Sequence, residues 1–261
     1  MKPKTEVFLN FLLWSTDKLI NPTFRNLTDS YESWAYRNDL QRQVVALEQR
    51  QLVERNPDAS GDRMYRLTKQ GRLHVLGGRD PQVQWSRNWD GRWRLVLFDI
   101  PTTRQAHHVK LWRYLRDAGF GYLQNSVWIT PDPLEKEKQI LGGGKIHVES
   151  LILMEARPCA GESDAEIVAG AWDFERINRR YARNLKILDE RPQGALGNVS
   201  NAKKTLLNWA TTERTAWLAA VKSDPLLPEQ ILPAGYLGRQ AWRRRMEVLR
   251  EAGRQLRVFN A

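Results

Sequence analysis

With a single cysteine, Cys159, in 261 residues, the chain has no partner for an internal disulfide, so its stability has to come from packing. It also lacks any apolar run near the roughly 20 residues that a membrane-spanning helix needs. The first twenty residues lack the short apolar stretch and small-residue cleavage site of a signal peptide. Together these absences predict a soluble protein of a reducing compartment, the cytoplasm. Disorder on the scale of a domain is not expected either, since 41% hydrophobic and 27% charged residues is ordinary globular usage. Histidines number four, and two of them, His107 and His108, are adjacent. On a helix they point about 100° apart and cannot chelate one ion as an i, i+4 pair does, so neither a metal nor a cofactor is expected.

Acidic residues are also short: 30 Asp and Glu face 41 Lys and Arg, a net charge of +11. The excess is diffuse, with 13 basic to 10 acidic residues in 1–80, 11 to 8 in 81–160 and 17 to 12 in 161–261. Such a field is compatible with a nucleic-acid partner, and equally with solvated Arg-rich helix faces.

Residues 5–20, "TEVFLNFLLWSTDKLI", are apolar enough for a buried helix, which Asn21 and Pro22 end. In "YRNDLQRQVVALEQRQL" Tyr36, Leu40, Val44 and Leu47 recur at helical spacing, leaving Asn38, Gln41, Arg42, Val45 and Gln49 on the opposite side. Two β-type runs, 52–55 and 63–68, then flank the turn residues of "NPDASGD", which reads as a hairpin, and a helix opens at Thr68. Helix, hairpin, helix is the order of a winged helix-turn-helix, whose first helix enters the major groove while the hairpin lies along the phosphates. On that reading Asn38, Gln41 and Arg42 face base edges, Arg37 serves bases or phosphate, and Arg55, Arg63 and Arg66 face phosphates. "YRLTKQGR" resembles the end of the wing in many bacterial winged-helix repressors. A small α+β domain that binds protein has the same element order.

After the polar "GGRDPQVQWSRNWDGR", the run "RLVLFDIP" carries a strand to Asp99. "TTRQAHHVKLWRYLRDAGF" reads as a helix, with Thr102 and Gln105 at capping-box spacing, a stripe of Val109, Trp112 and Leu115, and Gly119 as its stop. "GYLQNSVWITP" is a β region, "DPLEKEKQIL" a polar helix and "IHVESLILMEA" a last strand. This βαββαβ order is ferredoxin-like. The expected fold class is therefore α+β: a winged helix-turn-helix in 1–80, a linker in 81–91, a ferredoxin-like domain in 92–160 and a mainly helical domain in 161–261. In the last of these an apolar seam runs from Ile167 through Phe174 and Tyr181 to Leu188, of core or dimer-interface type. Trp172, Trp209, Trp217 and Trp242 serve either packing or an aromatic pocket, and Trp packs well anywhere.

Asp99 is open to two readings. As a metal ligand it would make the chain a metal-dependent nuclease, but a two-metal site needs several carboxylates around ions about 4 Å apart. "FDIPTTRQ" offers no second acid; it offers hydroxyls at Thr102 and Thr103, Arg104, and the N–H groups of a helix start. Asp99 with Thr102 is therefore expected to organise the strand-to-helix turn. "GGGK" at 142–145 fails the phosphate-loop pattern, since Gln139 and Ile146 stand where Gly and Ser or Thr are needed.

"FDIP", "GF" and "QNSVWI" resemble the small CRISPR spacer-acquisition nucleases of ferredoxin-like fold, and more closely the middle domain of the PaaX family. "AGAWDFERINRRYARNL" resembles that family's Trp-Asp-containing helix. "DPLLPEQILPAGYLGRQAW", Asp224 to Trp242, is similar to its Asp-Pro-x-Leu-Pro and Leu-Pro…Gly-x-x-Ala signature. The chain departs from the pattern where typical members have a Thr-Val-Arg-like helix start and a Gly after the helix, the latter place being held by Gln51. What the resemblance implies is a transcriptional repressor of a catabolic operon, not an enzyme. It would bind double-stranded operator DNA as a homodimer and be released by an acyl- or aryl-coenzyme A effector, with effector binding and dimerisation in 161–261. A nucleic-acid-binding protein without effector and a nuclease using Asp99 are the alternatives.

Overall fold

Helix α1 (Leu40–Gln49) opens the part of the chain described by the computed structural model, residues 40–57, 63–99, 105–124, 126–135, 138, 150–193 and 199–258. The helix expected over 5–20 lies outside these residues, as do "GGGK" and half of "DPLEKEKQIL". The chain divides into two compact units, one of 1–80, 181–218 and 237–261, the other of 81–180 and 219–236.

In the first unit α1 buries Leu47 and leaves Val45 and Gln49 exposed, as the helical period expects. It ends in a Schellman turn. The N–H of Leu52 donates to the Leu47 carbonyl at 3.0 Å and that of Gln51 to Glu48 at 2.8 Å, with Gln51 at φ 56°. Strands β1 (Val53–Pro57) and β2 (Arg63–Leu67) form an antiparallel hairpin, Val53 opposite Leu67. Thr68 caps α2 (Lys69–Val75) by accepting the Gly71 N–H at 2.9 Å, and its hydroxyl donates to the Gln51 carbonyl at 2.5 Å. Gly71 is needed for the approach, because a Cβ there would lie 1.8 Å from the Leu52 carbonyl oxygen. Helix, hairpin and second helix are thus tied together through residues 51 and 52.

The second unit begins where the sequence reads as a linker, with the short helix α3 (Pro81–Trp85). Pro at the first helical position is pre-organised, and Pro81 and Trp85, one turn apart, are both buried. Arg87 holds the following turn: its guanidinium donates to Asp132 at 2.6 and 3.0 Å and to the backbone carbonyls of Gln84 and Leu226. The polar composition hides a packed segment because its charges are met internally.

Strand β3 (Trp93–Asp99) buries Val96 and Phe98 on one face and half-buries Leu95 and Leu97 on the other, the alternation of a pleated strand. Helix α4 (Gln105–Asp117) follows, then β4 (Gly121–Gln124), β5 (Val127–Thr130) and β6 (Ser150–Ala156). The sheet order is β4-β5-β3-β6 with every neighbouring pair antiparallel, the arrangement of a ferredoxin-like sheet. Its core joins Val96, Phe98 and Trp128 to Leu111, Leu115 and Phe120. The helix face differs from the expected stripe: Leu111 is 0% exposed, whereas Val109 is 53% exposed. Leu111 and Leu115 are four apart and share a ridge, from which Val109 is rotated away. Gly119, at φ 92°, closes the helix in a second Schellman turn, with the Phe120 N–H on the Leu115 carbonyl at 3.0 Å.

Helix α5 (Asp164–Ala171) starts in a capping box: the Glu166 N–H donates to the Ser163 hydroxyl at 3.3 Å, and the Ser163 N–H to the Glu166 carboxylate at 2.8 Å. The apolar seam is not continuous. Trp172 is extended, and Asp173 accepts the Arg176 N–H at 2.9 Å, so a new helix, α6 (Phe174–Asp189), begins there. Helix α7 (Val199–Ser223), a 3-10 turn (Glu229–Ile231) and α8 (Gly238–Val258) complete the chain. Residues 161–261, expected as one domain, contribute to both units, since α6 and α7 each have residues in both. No helix among the described residues is long and apolar enough to cross a membrane.

Candidate functional site

The residues assigned to DNA occupy the first unit. Arg37 and Asn38 lie outside the described residues; Gln41 and Arg42 are in the first described turn of α1. Arg55 is on β1, Arg63 and Arg66 on β2. The register sets Arg55 opposite Tyr65, Arg63 opposite Pro57 and Arg66 opposite Glu54. Because positions alternate across a ribbon, Arg55 and Arg63 fall on one face with Val53, and Arg66 on the other with Glu54. The hairpin therefore does not present the three arginine positions as one row.

Asp99 is the last residue of β3, exposed and opposite Ser150 of β6. Its expected partner Thr102 lies outside the described residues. Among the described residues no group of three His, Cys, Asp or Glu is placed to hold a metal ion. His108 is half-buried with its ring 6.2 Å from that of Phe98, an edge-on packing contact.

The charges at the other end of β3 are structural. Arg94 is buried and donates to Asp90 at 2.8 Å and to the Pro131 carbonyl at 3.0 Å. The Arg94 guanidinium beside Asp90 holds that carboxyl below its ordinary range, and Arg92 does the same for Glu155. The signature segment is structural as well. Residues 224–228 are all buried, and the Asp224 carboxylate accepts the Leu226 N–H at 2.8 Å and the Tyr236 hydroxyl. That hydroxyl in turn accepts the Trp85 indole N–H at 3.1 Å.

The four tryptophans singled out in the sequence are divided between the two units. Trp217 is fully buried, its ring 5.8 Å from Tyr181 and 5.4 Å from Trp242, and Trp209 donates to the Ile187 carbonyl at 2.7 Å, all within the first unit. Trp172 belongs to the second. Trp112, which the sequence places in the helix stripe, meets Tyr122 and Trp128, which the pattern missed, across α4, β4 and β5. The strand alternation of Tyr122 and Trp128 was a readable signal for two of them.

These observations define a class: an α+β protein in which a ferredoxin-like sheet unit accompanies a unit carrying a helix–hairpin–helix segment. Residues 86–168 match the model of the PaaX protein central Cas2-like domain. The match is to that segment of the chain, which is similar to the central domain of PaaX proteins. Among solved structures the chain is similar to an uncharacterized protein, Rv0674, from Mycobacterium tuberculosis, at 17% identity and a TM-score of 0.58. The match covers 98% of this chain and 97% of that one, so the likeness is one of fold along the whole length. No curated protein matches the chain.

Proposed function

We propose that the chain is a DNA-binding repressor of a catabolic operon, acting as a homodimer on an inverted-repeat operator and released by an acyl- or aryl-coenzyme A effector. The observation that carries the reading is the helix–hairpin–helix piece of α1, β1, β2 and α2, in a chain whose central domain is of PaaX type. In this reading residues 1–80 act as the winged helix, with Asn38, Gln41 and Arg42 toward the major groove, Arg37 toward bases or phosphate, and Arg55 and Arg63 of the hairpin toward phosphates. Two-fold symmetry of the protein matches two half-sites about one helical turn apart.

Footprinting on the DNA upstream of the neighbouring genes tests it. A protected inverted repeat is expected, with protection lost on adding an acyl- or aryl-coenzyme A. Absence of any protected site would remove the reading. Arg42→Ala is expected to cost about 1 to 3 kcal/mol at the operator and relax preference at one base pair. Unchanged affinity and selectivity would exclude α1 as the reading helix.

A further inference from the structure

The sheet unit contains a cavity of about 450 Å³ beside the C-terminal end of α4 and the β4–β5 pair. Its lining is aromatic. Trp112, Tyr122 and Trp128 form a triangle with ring centroids 5.1 to 5.5 Å apart. The register sets Tyr122 directly opposite Trp128, which brings those two rings together. Trp172 adds a fourth ring, its indole N–H engaged by the Gly119 carbonyl at 3.1 Å. Gly121 permits that ring to approach, since a Cβ there would meet it at 2.7 Å.

The charge of the lining is positive. Arg116, Arg176 and Lys222 border the cavity with Asp173 and Asp224. Asp224 is buried and held in its turn by Leu226 and Tyr236. Asp173 caps α6 and lies 3.6 Å from the Arg176 guanidinium. Arg116, one turn beyond Trp112, has its guanidinium 5.6 Å from that ring. Neither Arg116 nor Lys222 pairs with a carboxylate among the described residues. Trp128 is 1% exposed, and its indole N–H has no hydrogen-bond partner among the described residues.

We propose that this cavity binds a small aromatic anion, a ring bearing a carboxylate or phosphate. The ring lies against Trp112, Tyr122 and Trp128, and the anion is held by Arg116 and Lys222. Rings prefer edge-on or offset neighbours of this kind, and two cations that pair with no carboxylate among the described residues, beside an aromatic cavity, select a ligand that carries both features. Its regulatory role rests on the effector half of the reading above; binding itself needs no DNA.

Calorimetric titration of the full chain without DNA tests the site, using benzoate, phenyl phosphate and benzoyl-coenzyme A, with benzamide and inorganic phosphate as single-feature controls. Saturable binding of at least one aromatic anion is expected, with both controls at least tenfold weaker. The Arg116→Gln/Lys222→Gln variant is expected to bind at least tenfold more weakly at unchanged Tm, because both side chains are exposed. The affinity order among the three anions tells a free acid from a phosphate ester and a thioester. No saturable heat with any of them, equal affinity for benzamide, or undiminished binding by the variant would overturn the proposal. A protein that binds the anion but protects no DNA loses the repressor reading and keeps the site; the reverse result removes the site alone.

Discussion

Gln51 and Gly119 hold the same position in two Schellman turns, one with a side chain at φ 56° and one without at φ 92°. A left-handed conformation costs an L-residue about 1 to 2 kcal/mol, and glycine returns part of that as unfolded-state entropy. Gln51→Gly is therefore expected to stabilise the protein by about 1 kcal/mol, read as a higher Tm. An unchanged or lower Tm would mean that the Gln51 side chain contributes something the turn does not require. At Glu166 the Ser163 N–H, and then the Ser163 hydroxyl, hold the carboxyl below its ordinary value of 4.5. A lowered folded-state value stabilises above the unfolded value and is lost as pH falls through the folded one. Ser163→Ala should thus lower Tm near neutrality and shrink the fall of Tm between neutrality and acid. A variant as acid-sensitive as the parent would show that the Ser163 hydroxyl carries none of this dependence and leaves it to the backbone N–H, which the variant keeps.

The hairpin is the element whose register changes an expectation. With Arg55 and Arg63 on one face and Arg66 on the other, a duplex lying along one face meets two of the three positions. Arg55→Ala and Arg63→Ala are each expected to flatten the slope of log K against log salt by about one unit, on operator and random DNA alike. Arg66→Ala, whose position lies opposite Glu54, is expected to leave the slope unchanged. Equal losses from all three would show that the hairpin inserts edge-on rather than lying on one face.

At the scale of the molecule, the first unit is held partly by a buried polar group. Arg245 and Glu213 are both 0% exposed, joined by bonds of 2.7 and 3.2 Å, with the Asn184 amide on Glu213 at 3.1 Å and the Arg245 guanidinium 4.9 Å from the Trp217 ring. Losing one partner strands a buried charge, whereas replacing both with apolar groups does not. Glu213→Ala should cost about 3 to 5 kcal/mol in denaturant unfolding, and Glu213→Leu/Arg245→Met should recover most of it. A double variant no better than the single would mean that the pair contributes geometry hydrophobic packing cannot replace.

Local signals determined much of this protein by themselves. Helical spacing marked the buried Leu47 against the exposed Val45, turn residues marked the hairpin, and the alternation of "RLVLFDI" marked β3. Each depends on neighbours within a turn or a pleat, which a linear pattern records. The order of strands and helices likewise allowed the ferredoxin-like sheet to be read before its pairing was seen. Tertiary structure alone decided the rest. Nothing within a few residues of Gln51 states that Gly71 must pass close to Leu52, or that Tyr122 and Trp128 lie opposite each other beneath Trp112. The choice of Leu111 over Val109 for the core, the packing of α3, and the division of α6 and α7 between two units depend on partners distant in the chain. So does the cavity, whose aromatic and basic residues come from α4, β4, β5, α6 and α7 and share no sequence motif, because a site assembled across elements leaves only scattered residues in the sequence.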